Sequence, residues 1–208
     1  RQMAKLVDVV VVSIFVNPTQ FNDSKDFQKY PRTLDGDLEM LQSENVDIVF
    51  TPTEKEIYPE KDKRNFNFGE LDKVMEGAHR PGHFNGVAQV VSRLFDIVKP
   101  DKAIFGEKDF QQLAIIRKMV KDLAYPVEII GAPIIREPDG LAMSSRNRRL
   151  NPQERENAAQ INRVLKASVE QAGKMAVKEL ENRVKEKINE NTFLQMEYFH
   201  IVNRQTLQ

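Results

Sequence analysis

Cysteine is absent from the 208 residues, which excludes disulfide bonds, thiolate nucleophiles and zinc–thiolate sites and fits a cytoplasmic location. Long apolar runs are missing too: no segment approaches the length of a membrane span, and no signal-peptide pattern is present. The chain also lacks net charge, because 31 Lys and Arg residues balance 31 Asp and Glu residues. This balance argues against bulk nucleic-acid binding as the main function and leaves only a local basic patch open.

Alternation of strand-like and helix-like segments sets the predicted fold class. With 40% apolar residues the chain can bury a real core, and its length fits one domain with a smaller second one. The alternation up to Pro133 predicts an α/β domain over residues 1–133, built on a Rossmann-like, doubly wound parallel sheet. Residues 134–208 are predicted to form a smaller α+β domain over the carboxyl edge of that sheet, with Pro133 as the hinge.

Individual elements follow from apolar spacing and from turn residues. The β-branched run at Val9–Val16 predicts a strand that is buried on both faces. Leu34, Leu38 and Leu41 share one helical face, which we predict to be core. The charged segment 52–65 has no period and predicts a mobile, solvated surface excursion. Further strands are predicted at residues 46–50, 103–105, 127–132 and 195–202, and helices at residues 34–44, 87–98, 109–123, 152–172 and 176–189.

Two polar side chains follow the first predicted strand. Pro18 forces Asn17 out of helical geometry and ends the strand there. Asn17 and Gln20 therefore lie just past the carboxyl end of a strand, where ligands bind in open α/β sheets. Ordinary loop polarity explains Gln20 equally well by position alone.

A histidine pair comes with prolines and glycines around it. His79 and His83 are four residues apart, a spacing that could bind a metal on one helix. Pro81 and Gly82 stand between them and disfavour a helix, so we reject a metal site. The segment instead predicts a shaped loop in which Arg80 and His83 face a ligand.

A glycine-led turn joins a predicted strand to a predicted helix at Gly106. Asp109 and Gln112 have the spacing of a capping box at the start of that helix. Lys108 then lies at the helix N-terminus, where the macrodipole opposes a cation by up to about 1 kcal/mol. A bound anion would resolve this conflict, so we favour a phosphate site over a lysine that points into solvent.

The segment 141–150, LAMSSRNRRL, follows a Pro-Asp-Gly turn at 138–140. Ser144 and Ser145 are small hydroxyl donors, and Arg146 adds a planar guanidinium suited to bidentate phosphate contact. This combination predicts a phosphate-binding loop, although a solvated basic turn before a helix explains the stretch equally well on its own.

The candidate elements together indicate a type of chemistry. Two phosphate-type segments, Gly106–Asp109 and Met143–Arg146, are accompanied by two neutral amides, Gln20 and Gln112. Neutral amides suit the hydroxyl or carboxylate of a small polar substrate, and no acid–base dyad is evident. Such a site works by positioning and charge stabilisation, which is how phosphoryl and nucleotidyl transfer is mostly catalysed.

An ordered set of segments resembles the pantothenate synthetase (pantoate–β-alanine ligase) family. The set covers most of the chain and is far more specific than GEKD or SSR alone. The matching segments are SIFVNPTQF at 13–21, YPRT at 30–33, RPGHFNGV at 80–87, IFGEKDFQQL at 104–113 and DGLAMSSRNRRL at 139–150.

The resemblance implies a reaction and a setting. ATP and pantoate would form pantoyl adenylate and pyrophosphate with Mg²⁺, and β-alanine would then give pantothenate and AMP. The fold would be that of the nucleotidylyltransferase and class I aminoacyl-tRNA synthetase superfamily. The enzyme would be a cytoplasmic homodimer that acts on small molecules, without a nucleic acid or membrane partner.

The resemblance also assigns ATP-binding residues. Those that would hold ATP in the first domain are Gly106, Glu107, Lys108 and Asp109, with Lys108 on the phosphates and Asp109 near the ribose. Those that would close over adenine and phosphates, as a lid, are Met143, Ser144, Ser145 and Arg146. Ile135 would meet adenine through its backbone. The implied catalytic residues are Lys108, Ser144, Ser145 and Arg146.

Substrate residues are carried over in the same way. Gln20 and Gln112 would hydrogen-bond pantoate, and Gln20 would also serve the β-alanine step. Other residues that would line the cleft are Asn17, Tyr30, Arg80 and His83. Residues 1–133 would thus bind nucleotide and pantoate, while residues 134–208 would form the lid.

Some family segments have no counterpart in the sequence. Arg1–Leu6 has the pattern of the last turns of a helix. The family's first strand, with its histidine-bearing glycine loop for ATP, and a closing segment would lie outside the 208 residues. A polypeptide of these residues alone is therefore expected to be inactive or severely impaired.

Two alternative functions remain open at this point. Another adenylate-forming enzyme of the superfamily would exchange pyrophosphate with ATP in response to a different acid. A non-catalytic nucleotide-binding or dimer-forming module would show no exchange at all.

Overall fold

The structure is a computed structural model that describes residues 3–22 and 24–208. The chain forms two compact units, one extending to Ala132 and one from Pro133 to Gln208. Of the predicted helix end at Arg1–Leu6, residues Met3–Lys5 form a single 3₁₀ turn, and residues 1 and 2 lie outside the described part. No helix within the described residues has the length and apolar character that a membrane crossing requires.

The first unit contains two pairs of parallel strands. The strands are β1 at Val11–Ser13, β2 at Ile48–Phe50, β3 at Lys102–Gly106 and β4 at Glu128–Ala132. β1 pairs with β2 through the register Val12↔Val49, and β3 pairs with β4 through Ile104↔Ile130. Two parallel strands need a crossover connection between them. Helices provide it in each pair, because α-helices lie between β1 and β2 in the chain and a further α-helix lies between β3 and β4. This arrangement confirms the predicted α/β class with Rossmann-like parallel pairing.

Eight α-helices are present in the described residues. Those of the first unit are α1 at Ser24–Lys29, α2 at Leu34–Ser43, α3 at Glu54–Ile57, α4 at Met75–His79, α5 at His83–Val98 and α6 at Phe110–Asp122. Those of the second unit are α7 at Pro152–Gln171 and α8 at Val177–Asn189. α5 begins four residues earlier than the apolar spacing predicts, at His83, and ends where Lys99 takes a left-handed backbone before Pro100.

The core of the first unit lies around α5 and α6. Apolar side chains at helical spacing are buried along both helices, among them Val87, Val91, Ile115, Ile116 and Met119. Phe105 of β3 packs edge-to-face on the buried Phe95 of α5, as does Tyr125. Burying a large apolar side chain contributes about 1.5–3 kcal/mol, so this cluster fixes the helices that support the strand ends.

Two burial predictions are wrong. Val9 is 58% exposed and Ser13 is exposed, so the first strand is not buried on both faces. Leu34 and Leu38 of α2 are 43% and 37% exposed, so the predicted core stripe is partly surface. Apolar periodicity identifies which residues share a face, but it does not say what covers that face.

The charged segment 52–65 is also not the free excursion that we predicted. Thr53 and Glu56 form a capping box that starts α3, and Ile57 at its end is fully buried. The Asp62 carboxylate is only 2% exposed and pairs with Arg64 at 2.6 Å and with Arg93 of α5 at 3.3 Å. The hydrogen bonds from Arg64 are the main reason that the pKa of Asp62 falls to about 2. Burial of a charge requires such partners, and here they tie the segment to α5.

The second unit consists mainly of α7 and α8. As predicted, Asn151 and Glu154 form a capping box, and Pro152 occupies the first turn of α7. The predicted strand at residues 195–202 is wrong, because its backbone has no strand partner within the described residues. Its Met196 and Ile201 amides instead donate to side chains, and Met196 packs against the apolar face of α8.

Candidate functional site

The turn after β1 carries the first pair of candidate residues. Asn17 has extended backbone angles and begins a 3₁₀ turn at Pro18–Gln20, where proline fits the first position. The Asn17 side chain accepts a hydrogen bond from the Thr19 amide, and the Phe21 amide closes the turn on Pro18. A short, closed turn therefore fixes the Asn17 side chain and the backbone at Gln20 relative to the strand.

The Asn17 amide is buried, at 2% exposure, and fully engaged. Its Oδ1 accepts from the Tyr58 hydroxyl at 2.9 Å and the Thr19 hydroxyl at 3.1 Å. Its Nδ2 donates to the Gly86 carbonyl at 3.1 Å and to Gln20 Oε1 at 3.4 Å. The Thr19 amide can only donate and the Gly86 carbonyl can only accept, so these partners define which end of the Asn17 amide is oxygen.

Gly86 permits this turn to lie directly on the first turns of α5. A Cβ atom at residue 86 would stand 2.4 Å from the Thr19 carbonyl oxygen and 2.9 Å from the Gln20 Cα. Such distances are too short for any side chain without a backbone shift. The missing side chain therefore allows the contact that places Asn17 and Gln20 over α5.

Arg80 and His83 meet the same turn from the other side. Arg80 donates to the Gln20 carbonyl oxygen at 3.2 Å, and His83 Nδ1 lies 2.8 Å from it. A carbonyl oxygen only accepts, so Nδ1 carries the proton and Nε2 is the unprotonated nitrogen of the neutral ring. Burial lowers the pKa of His83, and the nearby Arg80 charge lowers it further. The structure thus brings Asn17, Gln20, Arg80 and His83 into one cluster, which we call the amide cluster.

The turn after β3 contains the Gly-Glu-Lys-Asp segment. Glu107–Asp109 forms a 3₁₀ turn that leads straight into α6. Asp109 is the N-cap residue, but its side chain makes no capping hydrogen bond, so the predicted capping box is wrong. Its backbone angles, φ −96° and ψ 62°, differ from the extended geometry of a capping residue. Lys108 is exposed and lies 3.5 Å from the Asp109 carboxylate, a weak surface pair that leaves it able to bind an anion.

Asp109 connects this turn electrostatically with the amide cluster. Its carboxylate is among the charges that raise the pKa of His83 against the larger effect of burial.

Two neighbouring glutamines on α6 have different environments. Gln111 is buried, and its Nε2 donates to the Leu71 and Val74 carbonyl oxygens at 2.7 and 2.8 Å. Gln112 is half-buried. Gln111 thus supports the segment before α4, whereas the role of Gln112 in binding pantoate remains a prediction.

Tyr30 lies beside the turn that contains Gln20. Its ring packs edge-to-face on Phe21, the residue that ends this turn.

In the second unit, the predicted lid residues belong to a hairpin-like turn. The Met143 amide donates to the Ile135 carbonyl at 3.0 Å, and Arg136 and Ala142 form an antiparallel bridge. The Ile135 carbonyl is thus already engaged, so its backbone contact with adenine remains a prediction. Asp139 at the tip pairs with Arg155 of α7, and this bond lowers the pKa of Asp139.

Ser144 begins a 3₁₀ turn at Ser145–Arg149. Its hydroxyl oxygen accepts from the Arg146 amide at 3.3 Å, while Asn147 anchors the turn on the Ala142 carbonyl at 3.0 Å. Ser145 and Arg146 are exposed. The segment is therefore locally ordered and presents a serine and a guanidinium at its surface, and its closure over ATP remains a prediction.

Three residues of the cluster are not identified by the sequence reasoning: Thr19, Tyr58 and Gly86. Gly86 carries a detectable signal, since a glycine in an apolar helical pattern often marks close backbone approach. Tyr58 lies 41 residues from Asn17 in the chain, and no local sequence pattern predicts a contact between a hydroxyl and an amide over that separation.

Parallel strand pairs, a polar cluster just past one strand and an exposed cation at a strand–helix turn are typical of the class of α/β proteins that bind ligands beyond the carboxyl ends of their strands. Comparison with known proteins identifies the family within this class. The family model of pantoate-beta-alanine ligase matches residues 1–208, and the chain belongs to that family.

Relatives and solved structures agree with this assignment. Pantothenate synthetase from Bacteroides thetaiotaomicron is 56% identical over 96% of this chain and 71% of its own length. The enzyme of that name from Christiangramia forsetii is 51% identical over 97% of this chain and 72% of its own. The crystal structure of pantothenate synthetase from Thermus thermophilus matches with a TM-score of 0.95 and 45% identity, over 100% of this chain and 76% of that one.

A further crystal structure is that of pantoate-beta-alanine ligase from Francisella tularensis, complexed with beta-gamma ATP and beta-alanine. It is 39% identical with a TM-score of 0.84, over 97% of this chain and 74% of that one.

Proposed function

We propose that the protein ligates pantoate and β-alanine to pantothenate at the expense of ATP, through the residues described above. The observation that carries this proposal is the strand-end cluster of Asn17, Gln20, Arg80 and His83 in a chain of this family. The Gln20 side chain suits a small hydroxy acid, because a neutral amide can bind a polar group of the acid without neutralising the carboxylate that must react.

The proposed reaction has two steps. A carboxylate oxygen of pantoate attacks the α-phosphorus of ATP, the bond to the pyrophosphate oxygen breaks, and pantoyl adenylate forms. The amine of β-alanine then attacks the acyl carbon, the carbon–oxygen bond to AMP breaks, and the nitrogen loses a proton. The residues contribute orientation and charge, which is the larger part of catalysis in such transfers.

Each segment has a proposed part in the first step. Gln20 and Gln112 hold the acid, while Lys108 offsets the charge that develops on the leaving pyrophosphate. Ser144, Ser145 and Arg146 bind the phosphates from the second unit, and Met143 and Ile135 contact adenine. Support comes from the exposure of Lys108 beside the N-terminus of α6 and from the exposed guanidinium of Arg146.

Mg²⁺ is proposed to enter with ATP. No group of three His, Cys, Asp or Glu side chains in residues 3–22 and 24–208 is arranged to hold a metal ion. Phosphate oxygens and water are the ligands that Mg²⁺ prefers, so the nucleotide is its proposed carrier. When bound, the ion neutralises phosphate charge during attack.

We also propose, as the family resemblance implies, that the protein is cytoplasmic and forms a homodimer. Light scattering of the purified protein tests the dimer.

The decisive experiment is pantoate-dependent exchange of labelled pyrophosphate into ATP, on the protein expressed at the full length that its gene encodes. We expect exchange with pantoate but not with acetate or other simple acids, and AMP release only after β-alanine is added. Exchange driven by a different acid would identify another adenylate-forming enzyme. Absence of exchange with every acid would leave only nucleotide binding.

A further inference from the structure

Tyr58 stands at a junction between the amide cluster and the segment that we expected to be a free surface excursion. It follows α3 directly, and its side chain is half-buried. Its hydroxyl donates to Asn17 Oδ1 at 2.9 Å and lies 3.4 Å from the Thr19 hydroxyl. No other feature of the proposed reaction uses this phenol, although it touches the one buried amide of the site.

The backbone around Tyr58 is firmly held from both directions. On one side, the Thr53 amide donates to Glu56 Oε2 at 2.6 Å, and the buried Ile57 joins the α5 core. On the other side, Asp62 pairs with Arg64 and Arg93. A hydroxyl on such a support can hold its partner in place, since the support does not have to be ordered when the ligand binds.

Tyr58 acts on Gln20, the residue proposed to bind the acid, through the Asn17 side chain that lies between them. Asn17 Nδ2 donates to Gln20 Oε1, so the amide oxygen of Gln20 is directed at Asn17. The NH₂ end of Gln20 is then the end presented to other groups, as a donor for a hydroxyl or carboxylate oxygen. Loss of the Tyr58 hydroxyl would leave Asn17 Oδ1 with the Thr19 donors alone, so the Asn17 amide would keep its orientation but would be held less firmly.

We propose that Tyr58 is a positioning residue for acid binding, which holds the Asn17 amide so that Gln20 faces the acid as a hydrogen-bond donor. This inference rests on the proposed function, because the acid in question is pantoate. It assigns Tyr58 no contact with substrate. The effect is therefore expected in the binding of pantoate and not in that of ATP.

Tyr58→Phe tests the inference because it removes only the hydroxyl oxygen. We expect the KM for pantoate in the exchange reaction to rise about three- to tenfold, the range of one net hydrogen bond. The KM for ATP should stay within about twofold. Tyr125→Phe is the matched control: the Tyr125 hydroxyl also bonds within the first unit, to Asp96 and the Ser92 carbonyl, away from the cluster. It should change neither KM.

A double-mutant cycle separates positioning from a general loss of structure. In an Asn17→Ala background the acceptor of the phenol is gone, so Tyr58→Phe should add no further rise in the KM for pantoate. Additive effects, or equal changes in both KM values, would overturn the inference while leaving the ligase proposal intact. A protein that shows no pantoate-dependent exchange would overturn both. Calorimetric titration with pantoate alone gives the same comparison without catalysis.

Discussion

Lys108 is a residue whose removal separates phosphate binding from acid binding. Its ammonium pairs with the exposed Asp109 carboxylate at 3.5 Å, a weak contact, so an alanine there costs little stability. If it stabilises the departing pyrophosphate, Lys108→Ala should lower the rate of pantoate-dependent exchange about 100-fold or more, as the loss of a transition-state donor does. Pantoate affinity by titration should change less than about threefold, because Lys108 is proposed to contact the phosphates and not the acid.

Lys118→Ala is the control for this measurement. Lys118 lies on the same helix, α6, and pairs with Asp122 at 2.8 Å near its C-terminal end. Its removal takes away the same charge at a position outside the site, and exchange should stay near the unmodified rate. A Lys108→Ala protein that retains its rate within a few-fold would show that this lysine does not bind the phosphates.

Asp62 is a single residue whose charge should make the stability of the protein depend on pH. Its pKa is about 2 in the folded chain and about 3.8 as the ordinary value, so the folded state is stabilised above pH 3.8. That stabilisation is lost as the pH falls from 3.8 towards 2. Asp62→Asn should lower the free energy of unfolding by about 1–2 kcal/mol at pH 7, a figure reduced because both arginines are partly solvated.

Denaturant unfolding at pH 7, 4 and 3 checks this expectation. The difference between Asp62→Asn and the unmodified protein should shrink between pH 4 and pH 3. Asp101→Asn, on the exposed turn before β3, should alter the free energy of unfolding by less than about 0.5 kcal/mol at pH 7. A constant difference at every pH would mean that Asp62 acts by shape and not by charge.

At the scale of elements, the packing of the Pro18–Gln20 turn on α5 depends on Gly86. A methyl group there would meet the Thr19 carbonyl oxygen at 2.4 Å, so the turn must move away from the helix. We expect Gly86→Ala to destabilise the protein by about 1–3 kcal/mol, the cost of overpacking, and to raise the KM for pantoate at least about tenfold.

Gly36→Ala is the matched control, because Gly36 lies inside α2 and a methyl carbon at residue 36 would meet no atom within 4 Å. Alanine is the better helix former there and should raise the free energy of unfolding by about 0.5–1 kcal/mol without changing either KM. Equal behaviour of the two variants would remove close packing at Gly86 as the explanation for the position of Gln20.

The long amphipathic helices were predictable because their period and their end signals agree. α7 begins at Pro152, with Asn151 and Glu154 in a capping box, and α6 ends at Asp122, one residue before the predicted end. By contrast, residues 195–202 alternate as a strand would, yet strand formation also needs a backbone partner, which local sequence does not reveal. The stripe on α2 failed for a similar reason, since coverage by other parts of a molecule is not a local property.

The candidate site shows the same division. The position of Asn17 and Gln20 just past β1 was predictable because Pro18 does not let the strand continue there, whereas their binding of a ligand stays a prediction. The contacts that fix them were not, because the Tyr58 hydroxyl and the Gly86 carbonyl come from distant parts of the chain. The segment 52–65 looked solvated by its composition, whereas the buried Asp62 owes its place to Arg93 on α5.

At the scale of the whole molecule, the proposed function requires both compact units to act on one ATP. The unit that ends at Ala132 carries Lys108, and the unit that begins at Pro133 carries Arg146. Two cations that stabilise charge on the same triphosphate share one transition state, so their contributions to the rate should not be independent.

A cycle of Lys108→Ala, Arg146→Ala and the double variant measures this coupling through the rate of pantoate-dependent exchange. We expect the double variant to be only about tenfold slower than the worse single variant, because once one contact is lost the phosphates are no longer held for the other. Arg183→Ala, an exposed arginine on α8, supplies the control within the second unit and should combine with Lys108→Ala without interaction. If the effects of Lys108→Ala and Arg146→Ala simply multiply, the two residues serve separate events, and Arg146 does not complete the ATP site that Lys108 begins.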